Sequence, residues 1–146
     1  MNYEIVTLEE KTIVGLETRT GINDPKCQEK IGGLWNSFMG NGMASTIKNI
    51  KSGHSFGIYS NYTETDYDVT VGMDVNKAEN PELKTKIIPA GKYAKFSICG
   101  HVVNDVAKAW DDIWAINLDR TFTADFEEYL DCEMENAHVD IYIALK

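Results

Sequence analysis

The sequence predicts an α+β fold: two β-α-β-β units related by pseudo-twofold symmetry, forming an antiparallel sheet that carries two helices. Three observations predict it. Two segments, centred on Trp35 and Trp110, have apolar residues on a helical period. Each is followed by a pair of strand-like segments in the same order. A polar, turn-forming stretch from Asn76 to Thr85 separates the two sets.

Taken in order, Thr12 to Gly21 reads as a strand that closes on a glycine. Asn23-Asp24-Pro25 then offers an N-cap side chain, followed by a proline where the missing N–H matters least, so the first helix starts there. Cys27, Ile31, Leu34, Trp35 and Phe38 form its apolar stripe. Gly32 and Gly33 interrupt it at about 1 kcal/mol each relative to alanine, which predicts either compensating packing or a close backbone approach. Phe56-Gly57-Ile58-Tyr59 and Asp68-Val69-Thr70-Val71 supply the next two strands.

In the second half, Lys86 to Gly100 reads as one strand and Val102 to Leu118 as a helix, through Val103, Val106, Ala107, Trp110, Ile113 and Trp114. One constant offset lays Ile31 on Val106, Trp35 on Trp110 and Phe38 on Ile113. Phe126-Glu127-Glu128-Tyr129 then matches Phe56-Gly57-Ile58-Tyr59, and Asp140-Ile141-Tyr142-Ile143 matches Asp68-Val69-Thr70-Val71. Neither half can cover both faces of its own elements. A single domain over residues 1–146 is therefore expected, with repeat one at about 1–76, a linker at about 77–84 and repeat two at about 85–146.

Composition narrows the function classes. With 43% hydrophobic residues the chain can bury a real core, which excludes intrinsic disorder. A net charge of -9 repels phosphate backbones and anionic lipid, so neither nucleic acid nor membrane is an expected direct partner. The three cysteines are far apart and contain no Cys-x-x-Cys, which predicts free thiols rather than a disulfide framework. Cys99, His101 and Asp105 lie close in sequence, but no second ligand pair has conventional spacing, so no metal site and no cofactor is expected. The chain opens without a basic n-region or apolar h-region, and no apolar run approaches bilayer length, so a cytoplasmic location is expected.

The heptad Ile88-Pro89-Ala90-Gly91-Lys92-Tyr93-Ala94 resembles a hallmark of the GyrI-like, or AraC-type effector-binding, domain family. The likeness extends through Val14-Gly15-Leu16, Phe56-Gly57-Ile58-Tyr59, Val71-Gly72, Phe126-Glu127-Glu128-Tyr129 and Asp140-Ile141-Tyr142-Ile143. One departure is Ala144, where the family usually has proline. The resemblance implies a groove between the two helices that receives hydrophobic, often cationic, organic compounds. Many relatives join this domain to a DNA-binding helix-turn-helix; here the duplicated units fill the sequence, which implies a stand-alone form. It also implies that Glu127 is the carboxylate that pairs with a bound cation.

A carboxylate among aromatic faces offers charge pairing and cation–π attraction together. The expected ligand-binding set is Glu127, Tyr129, Tyr59, Gly57, Trp35, Trp110, Trp114 and Tyr93, with Gly57 opposite Glu127 leaving volume for the ligand. Each tryptophan also suits a plain core position. The leading function is binding of a lipophilic cation, with a possible link to transcription regulation or drug sensing. The alternative is a hydrolase of electrophilic cyclopropanoid-type compounds, with Glu127 and Tyr129 as the catalytic pair. A third, resting on the resemblance alone, is an inhibitory protein-binding module; a protein partner or a homodimer belongs with these expectations.

Overall fold

A computed structural model describes residues 2–40 and 42–146; Met1 and Asn41 lie outside the described residues. Strands β1 (Glu4–Leu8) and β2 (Lys11–Gly21) precede helix α1 (Cys27–Gly40), a 3-10 turn (Met43–Thr46) and strands β3 (Ile50–Ser60) and β4 (Asp66–Val75). Strands β5 (Lys84–Ile88) and β6 (Gly91–Gly100), helix α2 (Asn104–Trp114) and strands β7 (Ala124–Tyr129) and β8 (Ala137–Ala144) follow. All eight strands form one antiparallel sheet in the order β1-β6-β8-β7-β3-β4-β2-β5. That order is a palindrome under exchange of the halves, which is the pseudo-twofold expected. The leading strands are exchanged: β1 pairs with β6 of the second half, and β5 with β2 of the first.

Two expectations are corrected. Each unit carries an extra leading strand, because Lys86 to Gly100 is two strands rather than one and Glu4–Leu8 is a strand of its own. The break has a physical cause: Pro89 cannot donate to a ladder, and Gly91 adopts φ 152, which side chains rarely tolerate. The Tyr93 hydroxyl locks the corner by donating to the Pro89 carbonyl at 2.6 Å. The second helix is also shorter than Val102–Leu118. It starts after His101, whose Nδ1 accepts from the backbone N–H groups of Val103 and Asn104, while Asp105 accepts from the His101 N–H. These bonds satisfy helix N-terminal donors and occupy His101 and Asp105 in capping.

The core lies on both faces of the sheet. Alternate residues of each strand point to opposite faces. On one face, Val14, Phe38, Ile47, Val71 and Val75 pack under α1, while Phe96, Val106, Ile113, Val139 and Ile141 pack under α2. On the other, Phe56, Ile58 and Phe126 from the central strands share a cluster with Ile88 of β5 and with Val6 and Leu8 of β1. In a flat sheet those edge strands would stand seven spacings of ~4.8 Å apart, too far to share a cluster. The sheet therefore curls around this second core. No described helix is long and apolar enough to cross a membrane.

Candidate functional site

The gap between the two helix-side clusters is where the halves meet. Strands β3 and β7 pair there, and the register sets Gly57 directly opposite its own sequence equivalent, Glu127. The pseudo-axis therefore passes through this pair, and any difference between the two residues breaks the symmetry at its centre. Only 3% of Glu127 is exposed. One carboxylate oxygen, Oε2, accepts from the Trp110 indole N–H at 2.7 Å. The other, Oε1, accepts from the Tyr129 hydroxyl at 2.8 Å, and the Tyr59 hydroxyl stands 3.5 Å from both.

A Cβ on residue 57 would lie 2.9 Å from Glu127 Oε1 and 3.1 Å from Trp35 Cζ2. The space that Gly57 leaves is thus filled by the protein's own carboxylate and tryptophan, a correction to the expectation that a ligand uses it. The aromatic rings pair across the halves. Trp35 of α1 meets Tyr129 of β7 edge-on at 4.9 Å, and Trp110 of α2 meets Tyr59 of β3 edge-on at 5.4 Å. Such T-shaped contacts suit the ring quadrupoles.

Burial pushes the Glu127 carboxyl above its usual range, although the bonds from Trp110, Tyr129 and Tyr59 pull the other way. The Tyr59 and Tyr129 hydroxyls are both held well above theirs, first by burial and then by the charge of Glu127. Both phenols therefore stay protonated and act as donors. None of the ion pairs among the described residues involves Glu127. It is a buried acid held by neutral donors.

Beside this cluster, on the Tyr59 and Trp110 side, opens a pocket of about 460 Å³. Its wall includes Ile31 of α1, Trp110 and Trp114 of α2, and Tyr59, Tyr62 and Tyr67 around the β3–β4 turn. Ile22 and Phe122 stand at its edge, 74% and 46% exposed, with Trp114 at 60%. Arg120 organises that edge. Its guanidinium lies 4.4 Å from the Trp114 ring and 4.3 Å from the Phe122 ring, and pairs with the fully buried Asp125 at 2.6 Å. Asp125 also accepts from the Tyr62 hydroxyl at 2.7 Å and from the Ala144 N–H at 2.9 Å. A proline at 144 would have no N–H for that last bond, so the departure from the family pattern is matched by a local partner.

Of the eight expected site residues, Tyr59, Trp110 and Trp114 line the pocket. Glu127, Gly57, Trp35 and Tyr129 form the cluster behind it. Tyr93 belongs to neither. It is buried in the opposite core against Phe126 and Tyr142, where it locks the Pro89 corner; alternation along β6 puts it on that face. Sequence reasoning missed Tyr62, Tyr67, Ile22 and Phe122. The signal available was the tyrosine-rich turn from Tyr62 to Tyr67, which has no helical or strand period to attract notice. Among the described residues no cluster of His, Cys, Asp and Glu could hold a metal ion.

With two helices over one face of a curled antiparallel sheet, and an aromatic pocket beside a buried acid at the pseudo-axis, the molecule has the form of an effector-binding domain. The chain matches the GyrI-like small molecule binding domain family over residues 1–146 and belongs to it. Among solved structures, SAV2435 bound to tetraphenylphosphonium is similar at TM-score 0.83 and 17% identity, covering 100% of this chain and 94% of that one. A Staphylococcus aureus MU50 protein is similar at TM-score 0.79 and 19% identity, covering 100% and 99%. An integron cassette protein from the mobile metagenome of Vibrio cholerae is similar at TM-score 0.79 and 24% identity, covering 99% and 95%. No curated protein matches the chain significantly.

Proposed function

We propose that this small-molecule-binding domain takes lipophilic organic cations into the Tyr59–Trp110 pocket. The observation that carries the reading is Glu127: a buried carboxylate with only neutral hydrogen-bond partners, directly behind Tyr59 and Trp110 of the pocket wall. Burying an acid without a cation is unfavourable. A cationic ligand removes that penalty, while Tyr59, Tyr62, Tyr67, Trp110 and Trp114 offer apolar area and cation–π faces. Glu127 does not itself line the pocket, so its charge acts across Tyr59 and Trp110 until one of those rings turns aside. The tetraphenylphosphonium bound by SAV2435 is a compound of this class.

The test is titration with tetraphenylphosphonium followed by tryptophan fluorescence. Glu127→Gln should weaken binding by about thirty-fold, the equivalent of ~2 kcal/mol for a charged partner, and leave a neutral aromatic compound of similar size unaffected. Equal affinity of both proteins for the cation would sink the reading. In this view the domain sequesters the compound or reports its presence to a protein partner. A hydrolytic reading has one observation in its favour, the raised Glu127 carboxyl hydrogen-bonded to Tyr129, an arrangement suited to proton transfer. Incubation with an electrophilic cyclopropanoid compound tests it: turnover that is lost in Glu127→Gln would support hydrolysis, and recovery of that compound unchanged would exclude it.

A further inference from the structure

Outside the pocket, one group of side chains has the order of a nucleophile, a base and an orienting acid. Cys99 of β6 and His138 of β8 are direct partners in the ladder, so their side chains stand together on one face. Cys99 Sγ lies 3.6 Å from His138 Nε2. The other ring nitrogen, Nδ1, lies 2.8 Å from Asp131 Oδ2. Asp131 is itself fixed in the β7–β8 turn, where it accepts from the backbone N–H groups of Glu133 and His138. The bond from His138 holds its carboxyl below the usual range. Cys99 is exposed, so apolar burial gives no reason for a cysteine at this position.

We propose that Cys99 is a nucleophilic thiol that forms covalent adducts with α,β-unsaturated carbonyl compounds, with His138 as its base and Asp131 as a positioning residue. The Sγ–H proton passes to His138 Nε2 while sulfur forms a bond to the β-carbon. The π pair moves to the α-carbon, which takes the same proton back from the imidazolium. The net change is addition of S–H across the double bond, with no oxidant or reductant. Asp131, accepting from Nδ1–H, fixes the tautomer in which Nε2 is free to receive the proton.

The chain contains its own controls. Cys132 is also exposed and has no side-chain hydrogen-bond partner among the described residues. Cys27 is half-buried, and its sulfur lies 3.5 Å from the Tyr67 hydroxyl. The folded protein is treated with a limiting amount of N-ethylmaleimide at neutral pH, and adducts are mapped by peptide mass spectrometry over time. Cys99 should react at least about ten times faster than Cys132, and His138→Gln should bring the two within about threefold while leaving Cys132 unchanged. In wild-type protein the ring ¹⁵N shifts of neutral His138 should report the Nδ1–H tautomer, and Asp131→Asn should slow Cys99 and move the tautomer balance together. Comparable labelling of Cys99 and Cys132 in the wild type, or an unchanged Cys99 rate in His138→Gln, would overturn the proposal. A slower Asp131→Asn variant with its tautomer unchanged would overturn the role given to Asp131.

Discussion

The two halves of the molecule share a skeleton and differ at their meeting point. Trp35 and Trp110 are equivalents, as are Tyr59 and Tyr129, and each tryptophan packs edge-on against the tyrosine of the other half. Yet residue 57 is glycine where residue 127 is glutamate, and the two face each other across β3 and β7. Trp110 is bonded to the carboxylate, whereas Trp35 lies against the glycine. The pocket opens on the Trp110 side. Duplication thus gives a rigid frame with two aromatic pairs, and one changed residue makes the frame chemically one-sided.

The largest effect should come from restoring the symmetry. Gly57→Glu places a second carboxylate where even a Cβ meets Glu127 Oε1 at 2.9 Å. Two acids buried in one site cannot both ionise, and the loss of stability should be at least about 3 kcal/mol by denaturant unfolding. The exchange variant Gly57→Glu/Glu127→Gly returns the site to one carboxylate and should recover most of that loss. Its acid is turned toward Trp35, away from the pocket wall, so tetraphenylphosphonium binding should stay weak. Recovery of affinity along with stability would show that the frame, and not the side on which the acid sits, determines the ligand site.

A smaller effect is set by pH. Burial raises the Glu127 carboxyl in the folded protein, so the folded state holds this proton more tightly than the unfolded state does. By linkage, the group's contribution favours folding at acid pH and declines as pH rises from the ordinary carboxylate range through the raised folded value. Cation binding runs in the opposite direction, because the charged carboxylate favours the bound form. Affinity for tetraphenylphosphonium should be flat above the folded Glu127 value, fall by up to about tenfold per pH unit below it, and level off near the thirty-fold loss expected for Glu127→Gln. Glu127→Gln should remove both slopes. A wild-type affinity independent of pH through the acid range would place the charge elsewhere.

This asymmetry could be read in the sequence because it sits on equivalent positions of a repeat. The helical stripes match at one offset, and the strand segments, at a slightly shorter one, put Gly57 and Glu127 in correspondence. Their direct pairing is a matter of register between chain segments about seventy residues apart, which periodicity does not carry. The exchanged strands β1 and β5 escaped for a related reason: each has only five residues, and its partner belongs to the other half. The pocket wall was hidden differently. Tyr62, Tyr67 and Phe122 stand in or beside turns, and they gather only after the β3–β4 turn folds toward α2. Cys99 and His138 likewise meet through a ladder that no spacing announces.

The two helices make the finest comparison, and it bears on why α1 contains two glycines. Val106, Ala109 and Ile113 of α2 are buried, whereas in α1 only Phe38 is. Packing therefore does little to offset Gly32 and Gly33. A close approach does not explain them either, since a Cβ at either position would meet nothing within 4 Å. With both expectations set aside, the glycines are exposed helix positions that weaken α1 through backbone entropy alone. Gly32→Ala and Gly33→Ala should each stabilise the protein by up to about 1 kcal/mol, read as a raised denaturant midpoint at unchanged slope. Ile31 lies next to them on the pocket wall. If the double variant is more stable and binds tetraphenylphosphonium as the wild type does, the glycines serve neither packing nor the ligand. If it is more stable and binds more weakly, a loosely held α1 belongs to the way the pocket admits its ligand.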